Sequence, residues 1–219
     1  MKKEEKKIPF DMKAFLKKTL LSFVGIFFMG FFLSFLVQVN YGTDPYTFMN
    51  LSLCKRLGWS LGNWQLILNA AFLLFVILLN RRLIGPGTIF NMVLIGYSVD
   101  LFTWLWKKLF PDTLFTAQPS RALIFAVCLI GFVIAAAVYM NADAGLSPYD
   151  ASCRIIADLL IRRIPKLPFF IIRICCDALV VLTGLLAGGI PTIGIIAMTL
   201  LLGPAITLVG RVMRRFTKH

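Results

Sequence analysis

Apolar positions in this chain come in long blocks that are separated by short polar segments. Six blocks are long enough to cross a lipid bilayer, for which about 17–25 mostly apolar residues are needed. No block shows the two-residue alternation of a barrel strand, and a helix satisfies its own backbone polar groups in lipid. We therefore predict an all-α membrane protein with six transmembrane helices. The predicted spans cover residues 19–39, 64–79, 88–106, 122–140, 167–186 and 190–209, of which the second is the shortest.

A five-residue motif occurs twice, after the first and after the fourth apolar block. The first copy runs from Gly42 to Tyr46, and the second runs from Gly145, 103 positions later, to Tyr149. Two more blocks follow each copy, so each half crosses the membrane three times and the second half has the reversed orientation. Such inverted repeats are common in small-molecule transporters, whose sites lie near the midplane where the repeats meet. The predicted organisation is an N-terminal tail (1–14), repeat 1 (15–109), a linker (110–120), repeat 2 (121–213) and a C-terminal tail (214–219).

Each copy of the motif predicts the start of a short helix. Its glycine lets the chain leave the preceding helix in the left-handed conformation. The third motif residue is a good helix N-cap, and the following proline falls at the first helical position, where a missing N–H costs nothing. Asp150 then completes a capping-box pattern with Ser147. We predict short helices over residues 45–57 and 148–163, started by Gly42, Asp44, Pro45, Tyr46, Gly145, Ser147, Pro148 and Tyr149.

Two interpretations of these short helices remain open. An amphipathic helix can lie flat at the membrane interface. Alternatively, each is a re-entrant half-helix that dips toward the repeat interface, with its N-terminal N–H groups facing a cavity. Those N–H groups and the helix dipole favour an anionic group. The carboxylates of Asp44 and Asp150 at these helix ends argue against a strongly anionic ligand.

A glycine pattern marks the third block of each half. Gly87 and Gly96 lie nine positions apart in the first half, as do Gly194 and Gly203 in the second. These glycines permit close helix approach, and Pro204 can kink the sixth span. The glycines either serve helix packing alone or line a transport pathway and let the two halves rock against each other.

Composition and charge exclude most soluble functions. Apolar residues make up 59% of the chain and the mean hydropathy is +0.84, too high for a soluble fold. The net charge is +13, but 17 of the 23 Lys and Arg residues fall on one predicted side of the membrane and 5 on the other. An excess of Lys and Arg marks the cytoplasmic side, so we predict that both termini are cytoplasmic. The charge therefore reflects topology and attraction to membrane lipid, and no nucleic-acid partner is expected.

The residue types needed for metal or covalent chemistry are scarce. The chain has five cysteines with no CxxC spacing, and its one histidine is the last residue, His219. A zinc site or a histidine-based catalytic site is therefore hard to build. No nucleophile–base pair is apparent, so we expect no enzyme activity, no cofactor and no metal.

Ionisable groups inside the predicted spans are the best indicators of function. A charge at a helix centre costs about 2.5–3.5 kcal/mol on insertion scales. Arg173 and Asp177 lie four residues apart on one helix face, and either they form a self-contained packing pair or they line a polar midplane site or proton relay. With Asp100, two acids face one base, so one acid could titrate. The candidate pathway residues are Arg173, Asp177, Asp100, Asn69, Asn91 and Tyr97.

These motifs together resemble a known family. The duplicated Gly-x-x-Pro-Tyr, the Gly85-Pro86-Gly87-Thr88 start of span three and the Arg173–Asp177 pair ahead of Gly188-Gly189 are similar to the YczE/YyaS/YitT-type bacterial membrane proteins over residues 12–215. Residues 190–195 depart from the Gly-Ile-Gly-Thr run of that family. The resemblance implies a multipass protein of the bacterial plasma membrane.

The sequence favours a small-molecule or ion transporter with a polar site near the midplane. One alternative is the substrate-binding membrane subunit of a larger transport assembly. Vitamin-capturing subunits of that kind carry an Ala-x-x-x-Ala stripe on their first span, whereas here that spacing occurs in span four, at Ala122 and Ala126. The other alternative is a non-transporting accessory or scaffold protein. The expected partners are membrane lipid and a small molecule or ion, and a homodimer is compatible with the sequence.

Overall fold

The computed structural model describes residues 11–192, 194–196, 198–199, 204, 208 and 211–212. Within these residues the protein is all-helical, and no strand occurs there. A single 3-10 turn, Arg81–Leu83, joins the third and fourth helices. The α-helices are α1 (Met12–Val39), α2 (Pro45–Leu57), α3 (Leu61–Leu79), α4 (Pro86–Leu109), α5 (Thr113–Thr116), α6 (Ser120–Asn141), α7 (Pro148–Arg163) and α8 (Phe169–Leu186).

Five of the helices, α1, α3, α4, α6 and α8, are long and apolar enough to cross a membrane. They coincide with the first five predicted spans. The sixth predicted span, residues 190–209, lies largely outside the described residues. The two short helices, α2 and α7, begin and end where the motif predicted.

Helix α1 is the centre of the bundle and packs against both α4 and α6. Small residues allow these close approaches. A Cβ atom on Gly25 would lie 2.7 Å from the backbone nitrogen of Tyr139 on α6, and one on Gly30 would lie 2.6 Å from the side chain of Ser98 on α4. The predicted role of glycine in close helix packing therefore holds for α1 as well as for the third span.

The short helices each pack across the molecule. Helix α2 packs mainly against α8, and α7 packs mainly against α3. Each short helix therefore rests on a long helix from the other half of the sequence, which interlocks the two halves. This arrangement brings the N-terminal ends of α2 and α7 together.

The motif glycines have a different role from the predicted one. Helix α1 ends at Asn40, which itself has the left-handed conformation, and Asp143 has φ +53° after α6. Gly42 and Gly145 come two residues later in each case, with φ values of +144° and +108°. A Cβ atom there would lie 2.6 Å from the backbone of Gly194 or 2.5 Å from the backbone nitrogen of Gly85. The glycines are thus required for close backbone approach between turns, and they do not end the helices.

Candidate functional site

Arg173 on α8 binds two carboxylates from different helices. Its Nε donates to Asp177 Oδ2 at 3.2 Å, one turn along the same helix, and its NH1 group donates to Asp150 on α7. The side chains of Arg173, Asp150 and Asp177 are 31%, 19% and 12% exposed, respectively. The predicted self-contained pair is therefore a triad that links α7 to α8.

Two tyrosines, one from each motif, stack on each other beside this triad. The rings of Tyr46 and Tyr149 are nearly parallel, with 4.6 Å between centroids and 15° between planes. The Tyr149 hydroxyl donates to Asp177 Oδ1 at 2.7 Å, and the Tyr46 hydroxyl donates to Asn69 Oδ1 on α3, also at 2.7 Å. The Arg173 guanidinium lies 5.2 Å from the Tyr149 ring centroid, within cation–π range. We call Arg173, Asp150, Asp177, Tyr149, Tyr46, Asn69 and Asp44 the Arg173 cluster.

The capping residues fix how the two short helices enter this cluster. Asp44 caps α2 by accepting a hydrogen bond from the Thr47 backbone N–H at 3.0 Å. Ser147 caps α7 by accepting from the Asp150 backbone N–H at 3.0 Å, and its hydroxyl donates to Asp150 Oδ2 at 2.7 Å. The predicted N-caps and the proline at the start of each helix are confirmed. The Ser147 bond also orients the Asp150 carboxylate toward Arg173.

The cluster has more acidic than basic groups. Asp150 and Asp177 share the single guanidinium of Arg173, and the third carboxylate, Asp44, has Thr47 as its hydrogen-bond donor. Burial raises the pKa of Asp44 above its usual value, Asp177 raises it further, and the hydrogen bonds from Thr47 oppose this shift. A proton on Asp44 is therefore favoured by the fold, as desolvation disfavours the charged form.

The cluster lies halfway along two of the long helices. Asn69 is the ninth of the 19 residues of α3, and Asp177 is the ninth of the 18 residues of α8. A helix that crosses a bilayer places its middle residues near the midplane. In such a helix an uncompensated charge is most costly at the middle residues.

Asp100, Tyr97 and Asn91 lie apart from Arg173. The Asp100 carboxylate accepts from the backbone N–H groups of Leu61 and Gly62 at 3.2 and 2.7 Å, so it caps the start of α3. That point is about 12 Å of helix rise from Asn69, at 1.5 Å per residue. The Tyr97 hydroxyl donates to exposed Asn63 at 2.9 Å, and Asn91 is half-buried on α4. The acid that the structure places beside Arg173 and Asp177 is thus Asp150.

The pathway residues predicted from the sequence omit two members of the polar interior. Asp150 was predicted to cap α7 and to disfavour an anionic ligand, although a carboxylate at a cap can also bind a cation. Gln65 is only 2% exposed, and no described residue hydrogen-bonds to its Oε1. The sequence does contain an indication that Gln65 belongs to the polar interior, because Gln65 and Asn69 have the same four-residue spacing as Arg173 and Asp177.

The cysteines contribute no redox pair among the described residues. All five are free, and Cys54, Cys128 and Cys153 are buried. Burial, with a smaller contribution from Asp100, raises the pKa of the Cys54 thiol to about 11. A buried thiol that stays protonated is unreactive.

Comparison with known proteins places the chain in a family. The "Uncharacterized membrane protein YczE" of Bacillus subtilis (strain 168) is 28% identical over 139 residues, or 62% of this chain and 61% of YczE. The "Uncharacterized protein YyaS" of the same organism is 26% identical over 145 residues, or 64% of this chain and 69% of YyaS. The matched segment thus spans less than two thirds of the length of YczE, and no solved structure matches the chain.

The resemblance to YczE and YyaS is confirmed by these matches. A model of the family described as "Family of unknown function (DUF6198)" matches residues 16–211, nearly the whole chain. The matched region includes all five apolar helices apart from the first residues of α1. The chain is therefore a multipass membrane protein and belongs to the family of unknown function DUF6198.

Proposed function

We propose that this protein transports a small molecule or ion across the bacterial plasma membrane, with the Arg173 cluster as its binding site. The observation that carries this proposal is the stacking of Tyr46 on Tyr149. It joins the N-terminal ends of two short helices from different halves of the chain. A polar site where two halves meet near the midplane is the arrangement on which alternating access depends.

The proposal includes six spans in two inverted repeats, with the boundaries given above. Equivalent contacts in the two halves support it. Tyr46 and Tyr149 are each the second residue of a short helix, and each donates to the ninth residue of a long helix of its own half, Asn69 or Asp177. Gln65 and Arg173 are both the fifth residue of those long helices. Repeat 1 therefore has the neutral amides of Gln65 and Asn69 at the positions where repeat 2 has the ion pair of Arg173 and Asp177.

The contacts between turns are also equivalent in the two halves. The Gly87 backbone N–H donates to the Ala144 carbonyl at 2.8 Å, and the Gly194 backbone N–H donates to the Tyr41 carbonyl at 3.2 Å. In each case the turn before a short helix contacts the start of the last span of the other half. A two-fold axis between Tyr46 and Tyr149 accounts for both contacts. With three spans per half, that axis lies in the membrane plane, and both termini are cytoplasmic.

These contacts favour the re-entrant interpretation of α2 and α7. In an inverted repeat the two short helices enter from opposite leaflets. Two helices lying flat on opposite surfaces would be separated by the hydrocarbon core, about 30 Å thick. Tyr46 and Tyr149 are instead in contact, so at least their N-terminal ends reach the interior.

The charge balance favours a ligand that carries or exchanges positive charge. Asp150 and Asp177 share one guanidinium and Asp44 is a third acid of the cluster, so the ionised cluster has a net charge of −2, which bound cations or protons offset. Movement of one half against the other would change the distance between Tyr46 of repeat 1 and Tyr149 of repeat 2. Because the Tyr149 hydroxyl donates to Asp177, a partner of Arg173, this movement couples ligand binding at the ion pair to the rocking of the halves.

The test uses the purified protein in liposomes. Candidate metabolites and ions are first screened by thermal stabilisation of the wild type in detergent, and hits are measured as flux in proteoliposomes. We expect flux that Asp150→Asn and Arg173→Lys each abolish, because a compact ammonium cannot reproduce the planar fork that binds two carboxylates. Tyr97→Phe is the matched control and should transport normally. Flux that persists in all cluster variants would rule out the Arg173 cluster as the transport site. Ligand binding without flux would favour the binding subunit, and the absence of both would favour the scaffold.

A further inference from the structure

A cavity of about 470 Å³ opens beside the turn before α7, and its lining residues differ from those of the Arg173 cluster. Its wall is formed by the N-terminal part of α1, the end of α6, α7 and the segment between α3 and α4. The charged lining residues are Lys18, Arg82, Asp143, Arg154 and Asp158.

The charges in this cavity leave one cation unmatched. Lys18 pairs with Asp143 at 2.9 Å, and Arg154 pairs with Asp158 at 3.2 Å. No carboxylate of the described part of the chain lies within ion-pair distance of the Arg82 guanidinium. The lining therefore has a net charge of +1, which a monoanion neutralises.

The existing ion pairs are weak enough to rearrange around such an anion. The paired side chains of Lys18 and Asp143 are 48% and 85% exposed, and those of Arg154 and Asp158 are 50% and 42% exposed. Exposed ion pairs contribute little to stability, so Lys18 and Arg154 can turn toward a ligand at small cost. Arg82 would then bind the anion with one or both of these residues.

Apart from Thr19, the rest of the lining is apolar and comes from membrane helices and the turns between them. Phe15 is near the start of α1, Met140 is near the end of α6, and Ile84 and Leu146 flank the turn that closes the cavity. A ligand with a charged head and an apolar body fits such a lining better than a fully hydrated ion. Basic pockets between transmembrane helices are typical sites for anionic lipid headgroups.

We propose that this cavity binds a monoanionic phosphate group, with Arg82 as the principal residue and the phosphodiester of an anionic phospholipid as its source. The alternative source of a phosphate group is a water-soluble phosphate ester, which carries close to two negative charges near pH 7. The site does not depend on the transport proposal, because none of its residues belongs to the Arg173 cluster.

The test measures lipid binding to the delipidated protein in a neutral detergent, by native mass spectrometry and thermal unfolding. The probes are phosphatidylglycerol, zwitterionic phosphatidylethanolamine and soluble glycerol 3-phosphate. We expect phosphatidylglycerol to bind best and Arg82→Gln to weaken it about tenfold, as loss of a charge-assisted phosphate contact predicts. Arg81→Gln is the matched control, because Arg81 is the adjacent residue, donates to the Ile77 carbonyl at 3.1 Å and does not line the cavity.

A second variant tests the cavity without changing charge. Met140→Trp adds bulk at the rim, where Met140 is 37% exposed, and should also weaken phosphatidylglycerol binding. Binding of glycerol 3-phosphate as tight as that of the lipid would assign the site to a soluble anion. Equal binding of the two lipids, or equal weakening by Arg81→Gln and Arg82→Gln, would overturn the proposal and leave only diffuse surface attraction.

Discussion

Tyr46 and Tyr149 occupy equivalent places in two copies of one motif and stack on each other at 4.6 Å. Their hydroxyls nevertheless have chemically different acceptors, a neutral amide for Tyr46 and a carboxylate for Tyr149. The same five-residue motif is thus used twice, and of the two tyrosine hydroxyls the one on Tyr149 donates to a carboxylate.

This difference predicts unequal effects of removing the two hydroxyls. Tyr149→Phe should lower the free energy of unfolding by about 1.5–3 kcal/mol, because its bond is to a charged group. Tyr46→Phe should cost about 0.6 kcal/mol, typical of a neutral side-chain bond in a membrane protein. Denaturant titration in detergent micelles measures both. Tyr97→Phe is the control and should be neutral, since Tyr97 is 40% exposed. Equal costs at Tyr46 and Tyr149 would contradict the assignment of the charged acceptor.

Arg173 has two partners, and this changes the expected effect of replacing it. Arg173→Met leaves both Asp150 and Asp177 without their cation and should cost about 3–5 kcal/mol. Combining it with Asp177→Leu still leaves Asp150 unpaired, so the double variant should remain destabilised. Adding Asp150→Asn should restore most of the stability. The unfolding free energies of the three variants test this prediction. A fully stable double variant would show that Asp150 is not a partner of Arg173.

Asp44 predicts a pH dependence with a definite sign. Because burial raises its pKa in the folded protein above the ordinary 3.8, its contribution to stability is complete below that value. The contribution is lost as pH rises through the folded-state pKa. Asp44→Asn keeps a good N-cap but does not titrate. The melting temperature of the variant, relative to the wild type, should therefore rise as the pH is raised above about 4. A difference that does not change with pH would indicate an Asp44 with an ordinary pKa.

Alanine substitution distinguishes a glycine that is needed only for its left-handed backbone from one that also allows close backbone contact. Gly58 has φ +70°, but no atom lies within 4 Å of the place that a Cβ atom would occupy there. Gly58→Ala should therefore cost only the left-handed backbone penalty of about 1–2 kcal/mol. Gly145→Ala adds a contact of 2.5 Å with the Gly85 backbone and should cost clearly more. Unfolding measurements on the two variants test this, and similar costs would mean that the turn can move away from Gly85.

The proposed topology can be checked by cysteine labelling in intact cells. In a background without the native cysteines, Lys55→Cys and Lys107→Cys should react with a membrane-impermeant reagent added outside. Arg81→Cys and Arg163→Cys should react only after the membrane is opened. The physical reason is the excess of Lys and Arg on the cytoplasmic side. External labelling at position 81 would contradict both the orientation and the inverted repeat.

The sequence determined the local elements of this protein. Long apolar blocks predicted α1, α3, α4, α6 and α8, because a segment in lipid must satisfy its own backbone polar groups. Cap and proline chemistry predicted where α2 and α7 begin, since these rules act over only a few residues. The Arg173–Asp177 pair was also local, four residues apart on one helix.

The tertiary structure decided which groups meet. Asp150 joins Arg173, whereas Asp100 caps the start of α3, because helix packing and not sequence spacing sets the distances between helices. The contact between Tyr46 and Tyr149 likewise depends on each short helix packing against the opposite half. Apolar blocks of similar composition specify that helices pack but not which neighbours they choose. In lipid, that choice depends on shape and polar contacts between helices, which a single sequence does not display.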